Sequence, residues 1–263
     1  PVDFIPVTDP LVGLSLIAAI RGNYDQAWQL ADVNWHKHCA SGSVSNQGFT
    51  QYALAGVALA RGQYMLALEH ARQSVHLAQD AQDRWLEAHC LFELAHVLNV
   101  MGQRDEARDC YRSSYTIYES YGDLVGMASA SRDLAQIALL HAEFEEAEQR
   151  YRDCMAIYHQ THDQGGLAAA LDGLGYLKLL TGDYRECRAY LGQAVQIARE
   201  MLYLPLLLSV LLHVAELRLA LGQHEAGLNL LNYVQQHPSS NQETRNRAAQ
   251  LTVRAGTSQS IPD

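Results

Sequence analysis

Apolar residues recur along this chain at α-helical spacing, in blocks that lie on either side of a glycine. Before Gly182, leucines occupy positions 171, 174 and 177, and after it the apolar positions are 184, 187, 191, 194 and 198. Steps of three and four residues place these side chains on one face of a helix. Glycine suits the connection because a helix often ends at a residue with positive φ, where a side chain is strained. The pattern predicts a helix, a tight turn and a second helix.

The same block repeats every 40 residues without an insertion. The turn falls at positions 22, 62, 102, 142, 182 and 222, and all of these are glycine except Ala142. Asp83, Asp123 and Asp163 follow the same step, and they stand where a carboxylate can cap the free N–H groups of a helix start. Each first helix therefore spans roughly 17 residues, with Pro205 near the start of the sixth. Six helix pairs are predicted.

The repeats divide the chain into four predicted segments. Residues 1–9 are a linker, 10–238 the repeat array, 239–255 a polar capping helix and 256–263 a flexible tail. In the first unit, a loop over 41–46 stands in place of a regular second half. We attribute this loop to the terminal position, because an end unit has no neighbour on one face. The predicted fold class is all-α.

These residues resemble the tetratricopeptide repeat. The family pattern combines Leu and a small residue in the first helix, Gly-x-Tyr at the turn, and spaced small and aromatic residues in the second helix. Its positions in the fifth unit are Leu174-Gly175, Gly182-Asp183-Tyr184, Cys187, Leu191 and Ala194. The usual repeat has about 34 residues, so the helices here are longer. The resemblance covers about residues 10–236 and implies a right-handed α-solenoid of about six repeats, completed by the capping helix.

Composition and charge exclude several classes of protein. An apolar content of 48% indicates a folded, soluble protein and not a disordered chain. The 19 basic and 29 acidic residues give a net charge of −10, which repels a phosphate backbone and argues against direct nucleic-acid binding. The longest apolar stretch, 201–215, is shorter than the roughly 20 residues of a membrane-spanning helix. The N-terminus has neither Met nor a signal-peptide pattern, which suggests a piece of a longer chain.

The sequence contains no starting point for catalysis or metal binding. Phosphate-loop, serine-hydrolase and zinc-protease motifs are absent, so we predict no enzyme activity and no cofactor. The spacings of His36 and His38, and of His89 and His96, place each pair on different faces or two turns apart, which chelates one ion poorly. Five cysteines without a C-x-x-C pair predict a reducing, cytoplasmic location.

The tetratricopeptide resemblance also implies where a ligand binds. In that family the first helices line a concave face that holds peptides or small ligands, and its positions fall here on polar interruptions of apolar helices. The candidate residues are His89, Phe92, Glu93, His96, Asn99, Arg132, Asp133, Gln136, Asp172, Tyr176, His213 and Glu216. We interpret them as a continuous, solvated strip, and we expect single replacement of Glu93, Arg132, Asp133 or Tyr176 by Ala to leave stability nearly unchanged. Four carboxylates against one Arg favour a cationic or hydrogen-bonding ligand.

The repeats and the closing segment 232–248 resemble the C-terminal sensor of bacterial STAND-class signal-transduction ATPases and related transcriptional regulators. The resemblance implies an inducer molecule, peptide or protein bound in the groove. It also implies control of an NTPase domain, often accompanied by a DNA-binding domain, elsewhere in the same full-length chain. A stand-alone scaffold that holds protein segments without signalling is the alternative. Acid–base catalysis by the histidines and carboxylates of the strip is a third possibility.

Overall fold

The computed structural model describes residues 10–258, which form thirteen α-helices and no β-strand. The helices are α1 (Pro10–Ile20), α2 (Tyr24–Ser41), α3 (Val44–Ala60), α4 (Tyr64–Asp80), α5 (Arg84–Val100), α6 (Arg104–Tyr121), α7 (Leu124–Leu140), α8 (Phe144–Thr161), α9 (Gln164–Leu180), α10 (Tyr184–Glu200), α11 (Leu204–Ala220), α12 (His224–Gln236) and α13 (Gln242–Ser258). The predicted linker 1–9 and residues 259–263 of the predicted tail lie outside the described residues. Within the described part, no helix is long and apolar enough to cross a membrane.

Six helix pairs followed by a terminal helix confirm the predicted fold class. The odd-numbered helices α1 to α11 are the first helices of the pairs, and the even-numbered helices are the second. First helices α3, α5, α7, α9 and α11 each have 17 residues, as the sequence predicts. The capping helix α13 continues to Ser258, three residues beyond its expected end.

Left-handed residues end the first helix of every pair. The backbone angle φ is positive at all six predicted turn positions, with +82° at Gly102 and +60° at Ala142. The amide of Gly102 donates to the carbonyl of Asn99 at 3.0 Å, and the amide of Gln103 donates to that of Leu98 at 2.9 Å. This Schellman arrangement pairs carbonyls that a helix end otherwise leaves free. The repeated glycine therefore marks the turn for the expected reason.

A second series of left-handed residues, absent from the sequence-based prediction, ends the second helices. It consists of Gly42, Gln82, Gly122, His162 and Leu202, each midway between two predicted turns. Three of the five are not glycine, so no glycine repeat marks them in the sequence. The left-handed conformation costs a residue with a side chain roughly 1–2 kcal/mol. Despite this conformational free energy, the chain turns in the same way every twenty residues.

The helix starts and the first repeat show one confirmed prediction and one error. Asp83 Oδ1 accepts a hydrogen bond from the amide of Leu86 at 3.0 Å, and Asp123 Oδ1 accepts one from the amide of Gly126 at 2.9 Å. Both aspartates are N-caps, as predicted. The irregular second half expected for the first unit is wrong, because α2 is continuous to Ser41 and α3 begins two residues after Gly42. Gly42 is simply the left-handed turn of that connection.

Packing divides the chain into two units, Pro1–Asp163 and Gln164–Asp263. In the first unit, each described helix packs against its neighbours in sequence, and α3 also contacts α1 and α5. In the second unit, α9, α11 and α13 are related in the same way, with α10 and α12 as the intervening second helices. Leu212, Leu231 and Ala248 belong to one buried cluster of this unit. The capping helix therefore packs where the first helix of a further pair would lie.

Gly102→Ala and Ala142→Gly test the left-handed turns as a reciprocal pair. A Cβ added at Gly102 meets no atom within 4 Å, so the substitution acts on the backbone alone. We expect Gly102→Ala to lower the free energy of unfolding by about 1 kcal/mol and Ala142→Gly to raise it by a similar amount. Urea unfolding followed by circular dichroism measures both changes. Stabilisation by Gly102→Ala would contradict the turn geometry.

Candidate functional site

The candidate residues of the first unit lie on two first helices, α5 and α7. They are His89, Phe92, Glu93, His96 and Asn99 on α5, and Arg132, Asp133 and Gln136 on α7. All of these residues are partly buried. The spacing of three and four residues along each helix keeps them on one face.

An ion cluster joins α5 to α7. His96 Nε2 lies 2.7 Å from Asp133 Oδ2, and Arg132 donates from Nε to Asp133 Oδ1 at 2.8 Å and from a terminal nitrogen to Oδ2 at 3.1 Å. The side chain of Asp133 is 14% exposed, that of Arg132 19% and that of His96 36%. Candidate residues of consecutive repeats are therefore in direct contact, with the more exposed His96 at the edge of the cluster.

The cluster shifts the protonation equilibria of its members. Burial alone would lower the pKa of His96, but the Asp133 carboxylate outweighs burial, and the pKa is raised. Burial would raise the pKa of Asp133, yet Arg132 and His96 hold it well below its usual range. Burial raises the pKa of Glu93, and the negative charge of Asp133 raises it further. The pairing thus favours a protonated His96 beside an ionised Asp133.

Glu93 extends this cluster toward α3. A Cβ built on Gly56 of α3 would lie 3.2 Å from Glu93 Oε1. The absence of a side chain at position 56 gives the carboxylate its room, and a larger residue there would force Glu93 to move. Three consecutive first helices therefore contribute to the geometry of this part of the site.

His89 lies among aromatic rings. Its ring centre is 4.2 Å from that of Trp85 and 5.1 Å from that of Tyr118, and the Tyr118 hydroxyl is hydrogen-bonded to His89 Nδ1 at 2.9 Å. Burial lowers the pKa of His89 to about 4, so the ring is neutral near pH 7. The environment is that of a packed histidine, and its ligand-binding role stays a prediction.

The remaining candidate residues of the first unit are an aromatic ring and two amides. Phe92 packs between His96 and Tyr111, with ring centres 4.8 Å and 5.5 Å away. Gln136 Oε1 accepts from the Tyr151 hydroxyl at 3.5 Å, the limit of a hydrogen bond. Asn99 Oδ1 is buried without a hydrogen-bond partner among the described residues. Asn99 therefore has hydrogen-bonding capacity that the described residues do not use.

In the second unit, the candidate residues of α9 and α11 form one connected stack. His213 Nδ1 lies 2.7 Å from Asp172 Oδ1, and both residues are only 7% exposed. The ring of Tyr176 is stacked on that of His213, with centres 4.5 Å apart and planes at 22°. Glu216 lies one helical turn beyond His213. Asp172, His213 and Tyr176 are therefore in direct contact, and Glu216 is linked to Tyr176 through Arg247 of α13.

Arg247 of α13, which the sequence analysis did not predict, contacts two of the candidate residues. A terminal nitrogen donates to Glu216 Oε1 at 2.8 Å, and its guanidinium carbon lies 4.6 Å from the centre of the Tyr176 ring. The 40-residue step could not locate it, because α12 has 13 residues where α10 has 17. The only signal in the sequence was a basic residue on a helix expected to cover the last repeat.

The strip is less solvated than the sequence analysis expected. Asp172 and His213 are buried, and Asp133 is held by two partners. Removal of one member leaves a buried polar group unpaired, at a cost of about 1–3 kcal/mol. We therefore expect Asp133→Ala to reduce stability, in contrast to the neutral effect that a solvated strip implied.

A cavity of about 440 Å³ lies between α6, α7 and α8 and includes none of the candidate residues. Tyr115, Met127 and Cys154 are among its lining residues. Burial raises the pKa of Cys154 to about 11, and its thiol donates to the carbonyl of Ala128 at 3.1 Å. This cysteine is a protonated packing residue and not an activated nucleophile.

Among the described residues, the structure contains neither a metal site nor a disulfide bond. No group of three or more His, Cys, Asp or Glu side chains within residues 10–258 is placed to hold a metal ion. The five cysteines are free thiols.

Residues 86–160 match the family model of the tetratricopeptide repeat. The match covers nearly all of α5 to α8, including the His96, Arg132 and Asp133 cluster. This part of the chain therefore contains tetratricopeptide repeats. No curated protein matches it by sequence.

Solved structures of similar architecture include Rap proteins and a phosphatase. A Rap protein complexed with competence and sporulation factor is 14% identical, with a TM-score of 0.69 over 94% of this chain and 74% of that chain. The apo form of RapI is 12% identical, with a TM-score of 0.62 and coverage of 94% and 96%. Aspartyl phosphate phosphatase F from Bacillus subtilis is 10% identical, with a TM-score of 0.61 and coverage of 94% and 68%. At these identities, the likeness establishes the all-α, tetratricopeptide-like fold and nothing more.

The pH dependence of stability tests the His96 and Asp133 pair. Because the pKa of His96 is raised above 6.5 in the folded state, its stabilising contribution is complete below that pH and is lost as the pH rises through the folded value. We expect wild type to lose more stability than His96→Gln between pH 6 and pH 9, measured as the shift of the urea midpoint.

His76→Gln is the matched control for this measurement. His76 Nδ1 lies 3.0 Å from Asp80 Oδ2, but this pair is exposed, with 74% and 56% of the two side chains accessible. Exposed pairs contribute little to stability, so the control should follow the wild-type pH profile. Identical profiles for wild type and His96→Gln would mean that the α5 to α7 pair is not charged.

Proposed function

We propose that this chain is a binding module that holds a peptide or protein segment along its first helices. The tetratricopeptide fold supports a protein-binding role. The observation that carries the proposal is the contact between candidate polar residues of consecutive first helices, His96 with Asp133 and Asp172 with His213. Within each unit, such a contact makes a row of polar groups on helices that are otherwise apolar, and an extended segment can follow such a row.

The chemistry of the row favours a cationic or hydrogen-bonding segment. Glu93 and Asp133 supply carboxylates in the first unit, and the Arg132 guanidinium there is already paired to Asp133 with two hydrogen bonds. The amides of Asn99 and Gln136 can each donate and accept, which suits the backbone of an extended peptide. A strongly anionic partner would be repelled by the Glu93 carboxylate when it is ionised.

The neighbours support binding more than catalysis. One Rap protein of the same fold is seen with a bound factor, and we take this as support for an occupant on the present chain. The phosphatase named among the neighbours shares only 10% of its residues with this chain, and function depends on the site more than on the fold. We predict that this chain is not an enzyme.

We further propose that binding controls an NTPase domain in the same full-length protein. A ligand acts as a switch only if it binds the resting and active states with different affinities. Nucleotide hydrolysis by the full-length protein should therefore change when the candidate residues of α5 and α7 are altered. If these variants leave the rate of nucleotide hydrolysis unchanged while the protein still captures its partner, the chain is a scaffold without signalling.

Peptide selection on the purified chain tests the binding role directly. A random-peptide phage library is selected on wild-type protein, and the affinities of the enriched peptides are measured for Asn99→Ala and Gln136→Ala. We expect losses of about tenfold or more per variant, equivalent to about 1.4 kcal/mol. Melting midpoints should stay close to wild type, because Asn99 Oδ1 has no partner to lose among the described residues and the Gln136 bond is long.

Arg188→Ala is the matched control for this selection. Arg188 lies on the second helix α10 and is exposed, away from the candidate positions of the first helices. Its replacement should leave peptide affinity unchanged. If Arg188→Ala abolishes binding while the two amide variants retain it, the binding surface is on the second helices and the proposal is wrong.

A further inference from the structure

Tyr176, His213 and Glu216 together form the kind of surface that binds a guanidinium group. A planar cation is stabilised over the face of an aromatic ring and by N–H donation to a carboxylate. Tyr176 supplies the ring and Glu216 the carboxylate. In this structure, the guanidinium is that of Arg247, 4.6 Å from the ring centre and 2.8 Å from Glu216 Oε1.

The ring of Tyr176 is held in place by two neighbouring side chains. His213 stacks on Tyr176 with centres 4.5 Å apart, and the buried Asp172 is hydrogen-bonded to His213 at 2.7 Å. This pair fixes the orientation of the histidine ring and thereby that of the tyrosine. A platform that is already ordered costs less conformational entropy when a ligand binds to it.

The helix that supplies Arg247 has a small apolar contact with the rest of the unit. Ala248 and Ala255 are its buried apolar residues, and Leu251 is partly buried against the same cluster. Two alanines and one leucine bury little apolar area compared with the leucines of α11. Alongside these apolar contacts, the ion pair and the ring contact of Arg247 link α13 to α11 and α9.

We propose that Tyr176, His213 and Glu216 are a guanidinium-binding site that α13 fills with its own Arg247, and that an arginine side chain of a bound segment takes this place when α13 moves away. The assignment of the competitor to a bound segment rests on the proposed function. The site itself rests only on the contacts of the second unit. An incoming arginine and Arg247 need the same ring face and the same carboxylate, so their binding is mutually exclusive.

Chemical rescue tests the site with a small probe. Arg247→Ala should lower the melting midpoint, because Glu216 loses its partner and α13 loses its ion pair with α11. Addition of about 20 mM N-ethylguanidinium should then raise the midpoint of this variant by about 2 °C, since a ligand stabilises the state that binds it. Wild type should not respond, because its own Arg247 fills the site.

Three controls separate a guanidinium site from a general effect of the probe. Ethylammonium carries the same charge without the planar fork, and it should raise the midpoint of Arg247→Ala less. Arg254→Ala changes an exposed arginine of the same helix and should show no rescue. In the double variant Arg247→Ala with Glu216→Gln, the rescue should disappear, because the carboxylate is gone.

Arg247→Gln is measured in parallel, since it keeps a long polar side chain and preserves folding if alanine is too disruptive. Rescue of either variant by N-ethylguanidinium, selective over ethylammonium, supports the site. If both variants lose stability and neither is rescued, Arg247 only anchors α13 and the proposal is overturned. The peptide selection described above tests the amide side chains of α5 and α7 and not the second unit. If the rescue fails while the amide variants still lose peptide affinity, the guanidinium site is overturned and the binding role stands.

Discussion

The helices of each pair pack closely because one position of the second helix is always small. This position recurs at residues 27, 67, 107, 147, 187 and 227, which are four alanines, one cysteine and one glycine. The alanines and the cysteine have no exposed surface. At Gly227, a Cβ would lie 2.7 Å from Leu219 Cδ2 and 3.2 Å from the carbonyl oxygen of Ala215. A larger side chain would push the two helices apart, since a packed interior has little room to adjust.

The polar contacts between first helices depend on this spacing. His96 and Asp133 are 37 residues apart in sequence, whereas Asp172 and His213 are 41 apart and occur in the opposite order. The same pair of side-chain types has thus been formed from different repeat positions in the two units. Pairs of this kind add little net stability but are costly to break, so they define the geometry of the face more than they stabilise the fold.

The terminal helix combines two roles in the second unit. A repeat array needs a polar cap, because its last repeat has no further neighbour to cover its apolar side. α13 covers the buried cluster that contains Leu212 and Leu231, with Ala248 as its inward residue. One position earlier, Arg247 reaches a candidate binding surface. A single helix turn therefore carries both the covering contact and the contact with the polar stack.

The sequence alone determined the helices, the first series of turns and the caps, because each depends on a few neighbouring residues. The left-handed turn at Gly102 and the N-caps Asp83 and Asp123 are examples. Local patterns failed where the signal was ambiguous: residues 41–46 have the composition of a loop, yet α3 begins at Val44. The turns at Gln82 and Leu202 carry no glycine and were therefore missed.

Only the tertiary structure decided which polar residues meet. The 40-residue period placed His96 and Asp133 on the same face, but it could not give the distance between them or show that Arg132 is already bound to that carboxylate. Arg247 contacts Glu216, which is 31 residues away in sequence. This contact depends on the short helix α12 and on how α13 packs against α11. Contacts of this kind follow from the separation and rotation of packed helices, which the volumes of many buried side chains set together and no local pattern encodes.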